Sequence, residues 1–242
     1  METVLREAML VGMGNPLLDI SVVTDGELLK KYGLKPNDAI LASDKHMPLY
    51  KELTENYNVD YIAGGSTQNA LRVAQWILQK PNVTVFIGCV GKDEYSKILE
   101  NKAREDGVDV KYQYTSERPT GTCAVLVTNN GACRSLCANL AAAECFTVSH
   151  IEEPHVHKLI HQAEFYYTSG FFLTVSINTI LEIAQIALKR SKIFMMNLSA
   201  PFLTVLFKEQ MMRALPYVDI LFGNETPKPN NYWHITGDIV CN

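Results

Sequence analysis

The densest concentration of residues able to do chemistry is Ala63-Gly64-Gly65-Ser66-Thr67-Gln68-Asn69-Ala70, a glycine pair directly ahead of a helix-forming stretch. Glycine lets a ligand approach the backbone closely, and the free N–H groups of a first helical turn hold ligand oxygens. On its own a di-glycine serves equally well as a hinge, so its weight comes from its company. Upstream, Gly12-Met13-Gly14-Asn15-Pro16-Leu17-Leu18-Asp19 sets Asn15 and Asp19 just past an apolar run, the place where open parallel sheets bind ligands. A carboxylate such as Asp19 accepts from two vicinal hydroxyls at once, which suits a sugar diol, although a lone Asp also starts turns. Downstream, Gly88-Cys89-Val90-Gly91-Lys92-Asp93 closes another apolar run and opens a helix. The Gly12-Met13-Gly14 triplet is no dinucleotide fingerprint, because the third glycine and the acidic residue about 20 positions on are missing.

These residues need a frame. Short apolar runs at 9–13, 83–88, 164–169, 192–197 and 218–222 read as buried parallel strands. Helical patterns lie between them. Thr67 is placed to cap a helix with Ala70, Val73, Ala74 and Ile77 on its apolar face, and the stretch 174–190 repeats the spacing with Ile180, Ile183, Ala184 and Ala187. Strand-helix alternation implies an α/β parallel sheet covered by helices on both faces. Two stretches break the rhythm, 19–62 and 118–140, where Ile20–Val23 and Cys123–Val127 look like strands of a small β lid. The core is then 1–18, 63–117 and 141–226, and the Pro/Asn-rich residues 227–242 read as a divergent tail without a place in the fold.

The bulk properties exclude several classes. At 242 residues, 47% of them hydrophobic, the chain can bury a sizeable core. A net charge of −4 without a basic cluster argues against nucleic acid as a partner. No stretch reaches the roughly 20 apolar residues of a membrane span, and the acidic start is unlike a signal peptide. Six cysteines without a CxxC pattern fit reduced thiols. A cytoplasmic monomer is the expectation, with nuclear residence left open. His155, His157 and His161 with Glu153 have one-turn spacing that a metal site could use, without the defined ligand set such sites bring.

The run A-G-G-S-x-x-N at 63–69, followed after a helix and a strand by G-x-x-G-K-D, resembles the first signature of the ribokinase-like (PfkB) carbohydrate kinases. Within that family the stretches 12–19, 63–69, 119–123, 139–143, 170–174, 197–202 and 218–225 resemble, in the same order, members that phosphorylate nucleosides. The resemblance implies a ribokinase-like three-layer fold and transfer of a phosphoryl group from ATP, with Mg2+, to the 5′-hydroxyl of adenosine, giving AMP. It implies that Asp19, Gly65 and Asn69 hold the ribose hydroxyls and that Asn15 and Ser66 complete the polar end. Leu17, Leu41, Leu136, Ala138, Phe171 and Phe202 would enclose adenine, with Cys123 also among the substrate-binding positions. Arg134 would close over the transferring phosphate, and Asn197 and Asn224 would lie on the phosphate and ATP side.

Departures from the family pattern bear on catalysis. The second signature, D-T-x-G-A-G-D, supplies an anion hole and the base, and it does not occur in these residues. The family's N-x-x-E reads Asn224-Glu225-Thr226-Pro227 here, and the resemblance ends there. The expectation is a C-terminally truncated member, impaired or inactive in turnover. Its alternatives are a non-catalytic adenosine-binding fragment and an unstable product. Ser96 and Ala39 also depart, from glycine and from glutamine respectively.

Overall fold

The computed structural model describes residues 4–223 and 240–241. Its strands are β1 (Leu10–Met13), β2 (Leu17–Val23), β3 (Ala39–Leu41), β4 (Asp60–Gly64), β5 (Thr84–Gly91), β6 (Asp109–Thr115), β7 (Thr122–Thr128), β8 (Cys133–Asn139), β9 (Phe165–Ser169), β10 (Ile193–Asn197), β11 (Ile220–Gly223) and β12 (Val240–Cys241). The helices are α1 (Glu27–Tyr32), α2 (Met47–Asn56), α3 (Ser66–Leu78), α4 (Glu94–Glu105), α5 (Ser149–Glu152), α6 (Pro154–Gln162), α7 (Ile177–Lys189), α8 (Pro201–Leu206) and α9 (Lys208–Ala214). None of the described helices is long and apolar enough to cross a membrane.

Seven strands form one all-parallel sheet in the order β12-β11-β10-β9-β1-β5-β6. Parallel strands joined by helical crossovers are buried on both faces. On one face α3 and α4 press Leu71, Leu99 and Ala103 onto Phe86, Val110 and Tyr112. On the other, α6, α7 and α9 press Val156, Ile160, Ile180, Ile183 and Met211 onto Tyr166, Phe194 and Met196. Because β1 lies between β5 and β9, the direction of winding reverses at β1, which makes the carboxyl end of that strand the topological switch point.

All five expected strands are present, with ends that coincide with the expected ones or differ by up to three residues. The strand β6 escaped the sequence reading because its first five residues alternate: Val110 and Tyr112 are buried while Asp109, Lys111 and Gln113 are not, the pattern of a sheet edge rather than an apolar run. Helix α7 buries Ile180, Ile183, Ala184 and Ala187 as expected, capped by the Ser176 hydroxyl, which accepts from the Thr179 N–H. Helix α3 does not follow expectation. Its N-cap is Gly65, not Thr67, and its buried residues are Thr67, Gln68, Leu71 and Gln75, while Val73 and Ile77 are more than half exposed. The polar members of that stripe are satisfied at a distance. Gln75 Oε1 accepts from the Thr84 N–H and hydroxyl, and Gln68 accepts from the Tyr112 hydroxyl while donating to the Gly64 carbonyl.

The five other strands make a second, mixed sheet in the order β3-β8-β7-β2-β4. Side chains alternate across it. Ala124 and Leu126 join Ile20, Val22, Leu49 and Leu53 in a lid core beneath α1 and α2, while Cys123 and Val125 face the other way with Leu17 and Leu140. This sheet reaches further than the expected boundaries of 19 and 62, starting at Leu17 and ending at Gly64. Of the expected tail, residues 227–239 and 242 lie outside the described residues, while Val240 and Cys241 pair in parallel with Phe222 and Gly223. A sheet edge offers unpaired N–H and C=O groups that an extended segment can satisfy.

Candidate functional site

Asn15 follows the carboxyl end of β1, Asp19 lies on β2, and Gly65 caps α3, so the switch point of the large sheet faces the inner surface of the small one. Between them lies a cavity of about 350 Å3. Its polar end is made by Asn15, Asp19, Gly65, Ser66 and Asn69, its apolar wall by Leu17, Leu41, Cys123, Leu136, Ala138 and Phe171, and Arg134 lines it as well, twelve residues singled out from the sequence. Ile40, Leu140, Ser169 and Thr174 also line it and were missed. Ser169 ends β9 beside the switch point, a position that only the strand order reveals.

The two glycines serve different neighbours. A Cβ on Gly64 would fall 2.1 Å from Asp19 Oδ1, so a side chain at 64 and the Asp19 carboxylate cannot share that space. A Cβ on Gly65 would fall 2.2 Å from the Asn15 carbonyl oxygen, and the φ of +94° is one that glycine adopts without strain. Helix α3 therefore starts flush against the turn between β1 and β2 that carries Asn15.

Asp19 is 4% exposed. Burial pushes its carboxyl up to about 6, against the opposing pull of the Arg134 and Arg72 guanidinium groups. Arg134, on β8, donates to Asp19 Oδ2 at 3.0 Å. The resemblance places Arg134 over the transferring phosphate; in the structure its guanidinium, half exposed, pairs with the Asp19 carboxylate. Asn15 donates from Nδ2 to the Phe171 carbonyl at 3.3 Å, while its buried Oδ1 has no partner among the described residues. An acceptor left bare in a buried site is costly unless a ligand donor meets it. Burial lifts the Cys123 thiol well above its ordinary value, which makes this residue a wall rather than a nucleophile.

Phe202 is not part of this cavity. It lies across an adjoining cleft shared with Phe171, Ser66 and Asn197, its ring 6.2 Å from that of Phe171. Asn197 Oδ1 accepts from the Ser199 N–H at 2.7 Å, which turns the amide back on its own loop. Asn224 lies outside the described residues. Asp93 is structural: its carboxylate accepts from the Thr120 N–H and hydroxyl, 2.6 Å each, and from the Ser96 N–H at 2.9 Å. Those bonds hold it below its ordinary pKa despite burial, and Ser96, a departure from the family pattern, completes the helix cap. His157 and His161 stack with ring centroids 4.1 Å apart, and His161 Nδ1 faces Arg190, a cationic neighbour that disfavours a metal ion.

A parallel sheet with a switch-point cavity roofed by a small β lid defines a sugar- or nucleoside-kinase fold. The model of the pfkB family of carbohydrate kinases matches residues 27–226, and the chain belongs to that family. It is 50% identical over 220 residues to adenosine kinase 2 of Arabidopsis thaliana, covering 91% of this chain and 63% of that protein. Among solved structures it superposes on Anopheles gambiae adenosine kinase in complex with P1,P4-di(adenosine-5) tetraphosphate with a TM-score of 0.87 at 56% identity, covering 91% of this chain and 68% of that one. Schistosoma mansoni adenosine kinase in complex with adenosine matches with a TM-score of 0.86 at 40% identity, covering 91% and 64%. The chain thus spans a little under two thirds of the length of the curated relatives it matches.

Proposed function

We propose that this chain binds adenosine, seating the ribose at Asp19, Asn69 and Gly65 and the purine against Phe171 and the apolar lid wall, as the nucleoside-holding part of an adenosine kinase. The observation that carries this reading is the pairing of a buried carboxylate with a bare Asn15 acceptor at one end of a cavity whose other end is apolar. A nucleoside has that polarity: a diol that donates hydrogen bonds at one end and a flat hydrophobic base at the other. In the full reaction ATP would donate its terminal phosphoryl to the 5′-hydroxyl, yielding AMP.

Phosphoryl transfer depends on positioning, on neutralising charge and on a base for the attacking hydroxyl. The D-T-x-G-A-G-D run that supplies base and anion hole in the family is not in these 242 residues. The Mg2+ that the resemblance implies would be held mainly by the phosphates of ATP with one or two carboxylates; among the described residues there is no group of three or more His, Cys, Asp or Glu side chains that could hold a metal ion. The expected behaviour of this polypeptide is adenosine binding with AMP formation at background.

Isothermal titration with adenosine beside a coupled AMP assay tests this, with a thermal melt as the folding control. One-site binding without turnover supports the reading. A cooperatively melting chain that takes up no adenosine overturns it, and steady AMP formation abolished by Asp19→Ala overturns the expectation of silence.

A further inference from the structure

Asn69 offers the cavity only half of its amide, and a residue outside the cavity selects which half. Arg72 lies one helical turn along α3, and its Nη1 donates to Asn69 Oδ1 at 3.0 Å and to the Ala63 carbonyl at 2.5 Å. Its Nε donates to Asp106 at the carboxyl end of α4. The side chain is thus fixed on β4, α3 and α4 at once, and only 25% of it is exposed. A guanidinium has donors and no acceptor, so the amide atom that meets it must be the carbonyl oxygen. The amide NH2 of Asn69 is left for the cavity that this residue lines. Turning the amide over would set NH2 against N–H and strand a part-buried donor.

We propose that Arg72 is a positioning residue that locks the Asn69 amide with its NH2 toward the ligand, so that the polar end of the site presents an acceptor at Asp19 and a donor at Asn69. This inference rests on the nucleoside reading given above. The pair fits a vicinal diol in which one hydroxyl donates a hydrogen bond to the carboxylate and its neighbour, or the same oxygen's lone pair, accepts one from the amide. Two acceptors in those places would leave the diol's lone pairs without donors. A site so arranged distinguishes a ribose from a deoxyribose through both groups.

The test compares titration of the full chain with adenosine, 2′-deoxyadenosine and 3′-deoxyadenosine for the unaltered protein, Arg72→Met, Asn69→Ala, the double variant, Asn69→Asp and Asp106→Asn. Arg72→Met and Asn69→Ala are each expected to weaken adenosine binding about tenfold and to shrink the preference over one deoxy form by a similar factor. The double variant should lose no more than Asn69→Ala alone. Asn69→Asp, which keeps Arg72 engaged but replaces the donor with an acceptor, should lose the same preference, while Asp106→Asn should keep it. A purely structural clamp predicts otherwise: losses that multiply in the double variant and an unchanged ribose preference in Arg72→Met. Either result, or full ribose preference in Asn69→Asp, overturns the assignment of Arg72 while leaving adenosine binding intact. Absence of binding by the unaltered chain overturns the nucleoside reading and this inference together.

Discussion

Arg134 and Asp19, 115 residues apart in the chain, meet at 3.0 Å across the cavity, a guanidinium from β8 on a carboxylate from β2. The carboxylate is buried while the Arg134 side chain is half exposed, so the charge that balances Asp19 sits at the mouth of the site. That asymmetry governs how the site responds to protons.

Hydroxyl donors bind a carboxylate more strongly than a carboxylic acid. With the Asp19 carboxyl raised to about 6, its ionised fraction grows as pH rises through that value, so adenosine binding should tighten about tenfold from pH 5 to pH 7 and then level off. Titrations across this range check the slope. Asp19→Asn should bind weakly and show no such rise.

Removing Arg134 takes away an influence that lowers the Asp19 carboxyl. In Arg134→Met the midpoint of the pH dependence should move upward, with affinity at pH 8 changed less than at pH 6. A midpoint that stays in place or falls would show that the ion pair does not set the charge state of Asp19.

The two glycines should fail in different ways. Gly64→Ala displaces the Asp19 carboxylate and should abolish adenosine binding. Gly65→Ala meets both a 2.2 Å contact and a positive φ, and should cost roughly 2–4 kcal/mol of stability. Denaturant melts and titrations of the two variants separate these effects.

On α3 the buried and exposed faces make opposite predictions. Leu71, 1% exposed, should cost about 2–5 kcal/mol when cut to alanine. Trp76→Gln and Ile77→Ala, both well exposed in the structure, should shift stability by about 0.5 kcal/mol or less. Chemical denaturation of the three variants reads the difference.

That helix also marks the limit of what the sequence disclosed. Apolar periodicity located α7 and its buried face because Ile180, Ile183, Ala184 and Ala187 carry the stripe themselves. In α3 the buried stripe contains Thr67, Gln68 and Gln75, whose burial is tolerable only because Ser169, Tyr112 and Thr84 supply partners from other strands. Local patterns hold no record of such partners. The cavity residues were legible where they sit in glycine-marked turns or in stretches that resemble a known family. Ile40 lacked such a marker, Thr174 was passed over although it closes the 170–174 stretch, and Phe202 was drawn in although it stands in the next cleft. The direction in which Arg134 points is likewise a property of sheet pairing, fixed by the antiparallel register of Val127 with Arg134.

The pairing of the lid has a bearing on how the molecule comes to exist. Only β7 and β8 form a local hairpin; β2 pairs first with β4, Leu18 with Ala63, but waits for β7 about a hundred residues on, where Leu18 meets Thr122, and β3 waits as long, pairing Ala39 with Leu136. Loop closure over such distances is slow and gains nothing until the strands have met. During synthesis the first lid strand therefore emerges long before its inner neighbour β7, and the cavity is among the last features the chain acquires. A ligand that recognises the finished cavity draws the equilibrium toward the complete fold, so its concentration while the protein is being made should influence how much of it survives to be used.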